Sequence, residues 1–193
     1  MFSSWWSKGS AGSFSCELGQ EVKLNGLVLG AGSFSQLHSG TQKNPQTQNV
    51  SIFVSNDQFS AASSAIKKLK TLRHPSIINY IDSQESEKAI LLATEQITPL
   101  LLHLNLEVDE NFEQKDAYLA WGVFQIFRGV AFLHEANLVH GSLHAGSIFV
   151  TPAGEWKIFG LEQMRSTVQP NQPSEPRSPK LSRYNPPELK NAG

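Results

Sequence analysis

An α+β fold is predicted, with a small β-rich lobe followed by a helical lobe and a cleft between them. Two changes of apolar period and one change of composition point to it. Up to about Val54 the apolar residues lie in short runs broken by turn residues, the pattern of strands. From Asp57 to Leu72, and again from Ala117 to His134, they recur at three- and four-residue steps, the pattern of helices. Beyond Gln163 the chain is dense in Ser, Pro and Gln, a composition that favours mobility.

The elements follow in order. The stretch to about Gly19 is rich in Ser and Gly and is expected to be a flexible N-terminal segment over residues 1–19. Its paired tryptophans, Trp5 and Trp6, either fold back onto the domain or dock elsewhere. Val22, Leu24, Leu27 and Leu29 lead into a glycine-rich turn, and the β-branched run Val50–Val54 follows a polar loop. Phe59, Ala62, Ile66, Leu69 and Leu72 form one face of a helix, with Asp57 expected as its cap and Pro75 beyond its end. Ile77–Ile81 and Ala89–Ala93 read as a strand pair around the polar turn Asp82–Lys88. A short helix is expected at Leu100–Leu106. A long one is expected at Ala117–His134, with Leu119, Val123, Ile126, Phe127, Val130 and Leu133 on one face. Short strands at Ser147–Val150 and Glu155–Phe159 complete the pattern.

Composition narrows the function. The 193 residues suit one domain of ordinary size, and 16 basic against 17 acidic side chains leave a net charge of −1. Nothing there marks a nucleic-acid footprint or a polybasic membrane patch. No apolar run approaches the roughly 20 residues of a membrane span, and the N-terminus lacks the features of a secretory signal. A lone cysteine, Cys16, excludes an internal disulfide and a cysteine-rich zinc site. A soluble intracellular domain is the expectation.

Seven motifs occur in a telling order. They are Leu29-Gly30-Ala31-Gly32-Ser33-Phe34, Val50-Ser51-Ile52-Phe53, Arg73-His74-Pro75, Thr94-Glu95-Gln96, Val139 to Ser147, Lys157 to Glu162, and Pro186-Pro187-Glu188. Together they resemble a protein kinase domain. In order they overlay its glycine-rich loop, lysine strand, the end of the helix after that strand, hinge, catalytic loop, D-F-G and A-P-E. The stretches KTLRHPSIINYID, EQITPL, AGEWK and RYNPPEL resemble more closely the N-terminal kinase-like (Scyl) pseudokinase family. The resemblance implies a two-lobed kinase-like domain over 20–193, with an N-lobe at about 20–97 and a partial C-lobe at about 98–193. On this resemblance the C-lobe is expected to be truncated after the A-P-E position.

Phosphoryl transfer is largely positioning and charge neutralisation, so its parts can be checked singly. At the strand-lysine position stands Phe53, and at that of its glutamate partner, nine residues before His74, stands Ala65. No lysine between Leu29 and Leu37 offers a substitute. The catalytic-base position holds Ser142, the arginine before it is Gly141, the metal-binding asparagine is Ser147, and the D-F-G aspartate is Gly160. A count independent of register agrees: no aspartate follows Asp116, and Glu155 is the one carboxylate between Leu138 and Leu161. Mg²⁺ prefers ionised oxygen ligands, so no catalytic residue and no metal site is expected.

Single residues keep two readings. Gly30, Gly32 and Ser33 either approach a phosphate or only shape a hairpin. With Thr94, Glu95 and Ile97 at the hinge, they would be the contacts of a weak, metal-independent ATP complex. Glu162 is either a metal ligand or, as preferred, a solvated side chain. His140 is expected to be a structural histidine rather than a metal partner of His144, and His134 a hydrogen-bonding residue at a helix end. Ser178-Pro179 is a phosphorylation site or a turn.

The expected function is a catalytically inactive scaffold that requires no cofactor and binds proteins. The Scyl resemblance implies a cytoplasmic setting near Golgi and endosomal traffic, with coat components as partners. The alternatives are a divergent kinase with weak phosphotransfer and a nonfunctional fragment.

Overall fold

A computed structural model describes residues 14–30, 32–43, 46–106 and 114–168. Trp5, Trp6, Ser178 and the Pro186-Pro187-Glu188 motif lie outside the described residues. Five antiparallel strands form the first sheet: β1 (Cys16–Glu21), β2 (Gln36–Gln42), β3 (Gln48–Ser55), β4 (Tyr80–Glu85) and β5 (Ile90–Glu95), in the order β1-β2-β3-β5-β4. Strand β1 begins inside the stretch expected to be flexible, and it pairs Cys16 with Gln42 of β2. Upstream of the glycine-rich turn, Val22 to Leu29 run as a connection rather than a strand, tied by Val22 N–H to Leu37 O at 2.7 Å.

Strand β3 is central and covered on both faces, which its β-branched run suits. Val50, Ile52 and Val54 pack with Cys16, Ala89, Leu91 and Ala93 on one face. On the other, Phe53 stands between Leu37 of β2 and Leu92 of β5 and meets the helix α1 (Phe59–Thr71). Helix α1 buries Ala61, Ala62, Ala65, Ile66 and Leu69. Its N-cap is Gln58 and no side chain caps it, so Asp57 does not play the expected role. At the other end Arg73 Nη1 donates to Leu69 O and Leu72 O, and Lys68 and Lys70 oppose the negative end of the helix dipole.

The fourth strand differs from its expected bounds. Ile77 and Ile78 are buried, but they belong to the junction with the second lobe: Ser76 O accepts from Ile158 N–H, and Ile78 N–H donates to Ile158 O. The strand proper runs through the polar Asp82-Ser83-Gln84 instead. That is tolerable because β4 lies at the sheet edge.

The second lobe opens with β6 (Thr98–Pro99) and α2 (Leu100–Leu106), then α3 (Lys115–Glu135), β7 (Leu138–Val139), β8 (Ile148–Val150), β9 (Trp156–Ile158) and β10 (Arg165–Ser166). Strands β6, β8 and β9 form a small sheet, and β7 pairs with β10. Along α3 the expected apolar face needs correction. Ile126 and Leu133 are buried, but Val123 and Phe127 are exposed, beside exposed Trp121 and Phe124. The buried face instead carries Gly122, Gln125 and Gly129. A Cβ at Gly122 would run into the Trp156 ring, and one at Gly129 would lie 2.8 Å from Ile158 Cδ1. Small residues mark the tightly packed face, and apolar periodicity does not register them.

Candidate functional site: a closed cleft between the lobes

The turn at residues 29–34 is closed by an antiparallel bridge between Leu29 and Phe34 and by Gly32 N–H to Leu29 O at 2.9 Å. Gly30 and Gly32 have φ of 55° and 96°, so the turn depends on glycine at both positions. It does not stand clear of the second lobe. Gly30 N–H donates to Gly146 O at 2.8 Å, and His144 Nε2 donates to Gly30 O at 2.7 Å. His144 Nδ1 accepts from Gly146 N–H at 3.0 Å, which fixes the proton on Nε2.

Beneath the turn lies Gly160, with φ of 88°. A Cβ built on Gly160 would lie 2.7 Å from Gly30 Cα, and one built on Gly30 would lie 2.9 Å from Gly160 Cα. The two backbones therefore touch at a point where neither residue has room for a side chain. Ser147 is fully buried beside them. Its hydroxyl closes a reciprocal pair with the His144 backbone, and its carbonyl accepts from Phe159 N–H at 2.8 Å.

Behind this contact four phenylalanines fill the interior. Phe53 lies 5.5 Å from Phe34, 5.4 Å from Phe149 and 5.0 Å from Phe159 between ring centroids, with edge-on or tilted packing. Phe53, Phe149 and Phe159 are fully buried, and Ala65 joins the same core. Phe53 and Ala65 thus belong to one apolar core.

The three expected hinge contacts are engaged internally. Thr94 Oγ1 donates to Glu95 O at 3.0 Å and Ser51 O at 3.3 Å. Ile97 N–H donates to Ser51 Oγ at 3.0 Å, and that hydroxyl lies 3.1 Å from Ile97 O. The Glu95 carboxylate accepts from Asn79 N–H at 2.7 Å and pairs with buried Lys157 at 3.5 Å.

His140 is buried, donates from Nε2 to Phe159 O at 3.0 Å and accepts from Ser142 N–H at 3.2 Å. Burial pushes its pKa down to about 4, because the charged ring would lose its hydration. This is the structural histidine expected from the sequence. Gly141 has φ of 78°, and a Cβ there would lie 2.5 Å from Gln163 O.

Glu162 overturns its expected solvated state. It is 2% exposed and accepts a hydrogen bond from Ser33 Oγ. Lys68 of α1 reaches the same segment, donating to Glu162 O at 2.8 Å and Leu161 O at 3.1 Å. Among the described residues no group of three or more His, Cys, Asp or Glu is placed to hold a metal ion. Sequence reasoning weighed His144 and Glu162 only as metal ligands or ordinary side chains, and it missed Lys68 altogether. His144 and Glu162 lie inside motifs already singled out, whereas Lys68 lies outside them all.

A β-sheet lobe with one helix, a glycine turn over a catalytic-type loop, and a hinge between them define a kinase cleft. The protein kinase domain family matches residues 25–190 of the chain. The chain belongs to that family. It is 39% identical over 132 residues to the probable inactive serine/threonine-protein kinase scy1 of Dictyostelium discoideum, covering 65% of this chain and 15% of that protein. It is 31% identical over 106 residues to the mouse protein associating with the carboxyl-terminal domain of ezrin, covering 54% and 14%. With mitogen-activated protein kinase kinase kinase 3 of Arabidopsis thaliana it shares 30% over 147 residues, 70% of this chain and 24% of the relative. The chain thus spans a quarter or less of the length of these relatives. The first two agree with the Scyl resemblance read from the motifs, and no helix among the described residues is long and apolar enough to cross a membrane.

Proposed function

We propose that this kinase-family domain is catalytically inactive and serves as a protein-interaction scaffold. The observation that carries the reading is the contact of Gly30 with Gly160, which brings the glycine-rich turn down onto the D-F-G position. A nucleotide's phosphates need the space between those two segments, and a D-F-G aspartate needs a Cβ where Gly30 Cα stands. Phe53 and Ala65 replace a cation and an anion together, which spares the fold a buried unpaired charge. Ser142 and Ser147 stand where a general base and a metal ligand would be required, and losing a positioned base alone costs about 10²–10⁴ in rate. The relative named as probable inactive supports the same conclusion.

The weak ATP complex envisaged at Gly30, Gly32, Ser33, Thr94, Glu95 and Ile97 would have to break the internal hydrogen bonds that now engage these residues. On this reading the domain adopts the closed state without nucleotide and presents a fixed surface to proteins. We place that role in membrane traffic, with coat components as partners, on the Scyl resemblance. Incubation with labelled ATP and either Mg²⁺ or Mn²⁺ tests the catalytic part, and phosphate incorporation abolished by Glu162→Gln would overturn it. Proximity labelling from the whole chain in cells tests the scaffold part. Enrichment of vesicle-coat proteins over cytosolic background supports it, and no enrichment contradicts it.

A further inference from the structure

Glu162 is a carboxylate with 2% exposure, and such groups are almost never fully buried unless paired. Its surroundings are specific. Ser33, from the glycine-rich turn, donates its hydroxyl to Oε1. A Cβ placed on Gly30 would lie 3.2 Å from Oε1 and 3.5 Å from Oε2, so the carboxylate lies against the bare backbone of the turn. The ammonium of Lys68 is held on the carbonyls of Leu161 and Glu162. Kinase-type glycine turns cover an anion, the nucleotide phosphates, with a lysine as compensating cation. Here a glycine turn and a hydroxyl donor meet a side chain of the chain itself, and a lysine from α1 holds the backbone of the same residue.

We propose that the space under the glycine-rich turn is an anion subsite whose resident anion is the Glu162 carboxylate. It clamps the turn onto the second lobe, and an emptied subsite takes a small oxyanion of carboxylate type. This inference rests on the closed-cleft reading above. The Glu162 clamp joins three elements far apart in the chain: the turn through Ser33, α1 through Lys68, and the segment after Gly160.

The test is chemical rescue of Glu162→Gly in the full chain, read as melting temperature during titration with sodium formate against sodium chloride of equal ionic strength. The expected result is a melt below wild type that formate raises saturably and chloride does not, with wild type indifferent to both. Equal effects of formate and chloride on the variant would overturn the proposal. Should Glu162→Gly fail to fold, Glu162→Gln keeps the shape without the charge. Its amides from Gly32 to Leu37 should exchange hydrogen at least tenfold faster than in wild type, and unchanged exchange would overturn the proposal. Failure here is separable from failure of the closed-cleft reading. ATP binding by wild type would sink the latter, whereas a formate-blind variant in an ATP-blind protein sinks only the subsite.

Discussion

Placing an aspartate at position 160, Gly160→Asp, should damage this domain. Two costs can be worked from the backbone. At φ of 88° a side chain crowds its own carbonyl, at roughly 1–2 kcal/mol for a non-glycine residue. The new Cβ would also fall 2.7 Å from Gly30 Cα, and overpacking of that kind typically costs about 1–3 kcal/mol. Together they give about 2–5 kcal/mol. At roughly 2–4 °C per kcal/mol for a domain of this size, the melt should fall by about 4–20 °C. Scanning calorimetry measures it directly, with Gly160→Ala as a control that adds the Cβ without the charge. Both variants should melt well below wild type. If Gly160→Asp melts within about 1 °C of wild type, the two segments are not in contact and the reasoning fails.

Other outcomes follow from the same geometry. Phe53→Lys puts an ammonium among three aromatic rings and removes their central partner. It should cost at least about 3 kcal/mol in urea unfolding, and a smaller loss would mean the cleft opens readily to water. His140 is neutral when folded, and its pKa lies near 6.5 when unfolded and at about 4 when folded, so the unfolded chain binds the extra proton between those values. Its contribution is complete above about pH 6.5 and is lost as pH falls towards 4, by roughly 3 kcal/mol; urea midpoints that stay flat from pH 7 to 4 would refute this. Exposed Trp121, Phe124 and Phe127 on α3 form an apolar stripe that should drive self-association of the isolated chain. Phe127→Glu should reduce it in light scattering while shifting stability by no more than about 0.5 kcal/mol; a monomeric wild type would contradict the stripe's role.

Much of this was legible because local chemistry writes local structure. Helix α2 spans Leu100–Leu106 as its apolar run predicts, and α1 and α3 differ from expectation by one or two residues at each end. Motif spacing also proposes Phe53, Ala65, Ser142, Ser147 and Gly160 as degenerate positions. What escaped was non-local. Ser33 meets Glu162 across 129 positions and His144 meets Gly30 across 114, and no window of sequence contains both partners. A glutamate flanked by Leu161 and Gln163 carries no mark of burial until the fold brings a hydroxyl to it. The face of α3 was misjudged for a related reason: Gly122 and Gly129 reveal their tight packing only against Trp156 and Ile158. Strand β4 was displaced because edge position, rather than apolar content, decides where Asp82-Ser83-Gln84 can pair.

The proposal that the closed cleft excludes nucleotide is tested most directly by calorimetric titration of the wild-type chain with ATP, without metal and with Mg²⁺ or Mn²⁺. No saturable heat, and no rise in melting temperature at the highest nucleotide concentration, is the predicted result. A metal-dependent isotherm would contradict it, together with the roughly 2.7 kcal/mol of stabilisation that a ligand at a hundred times its Kd must confer.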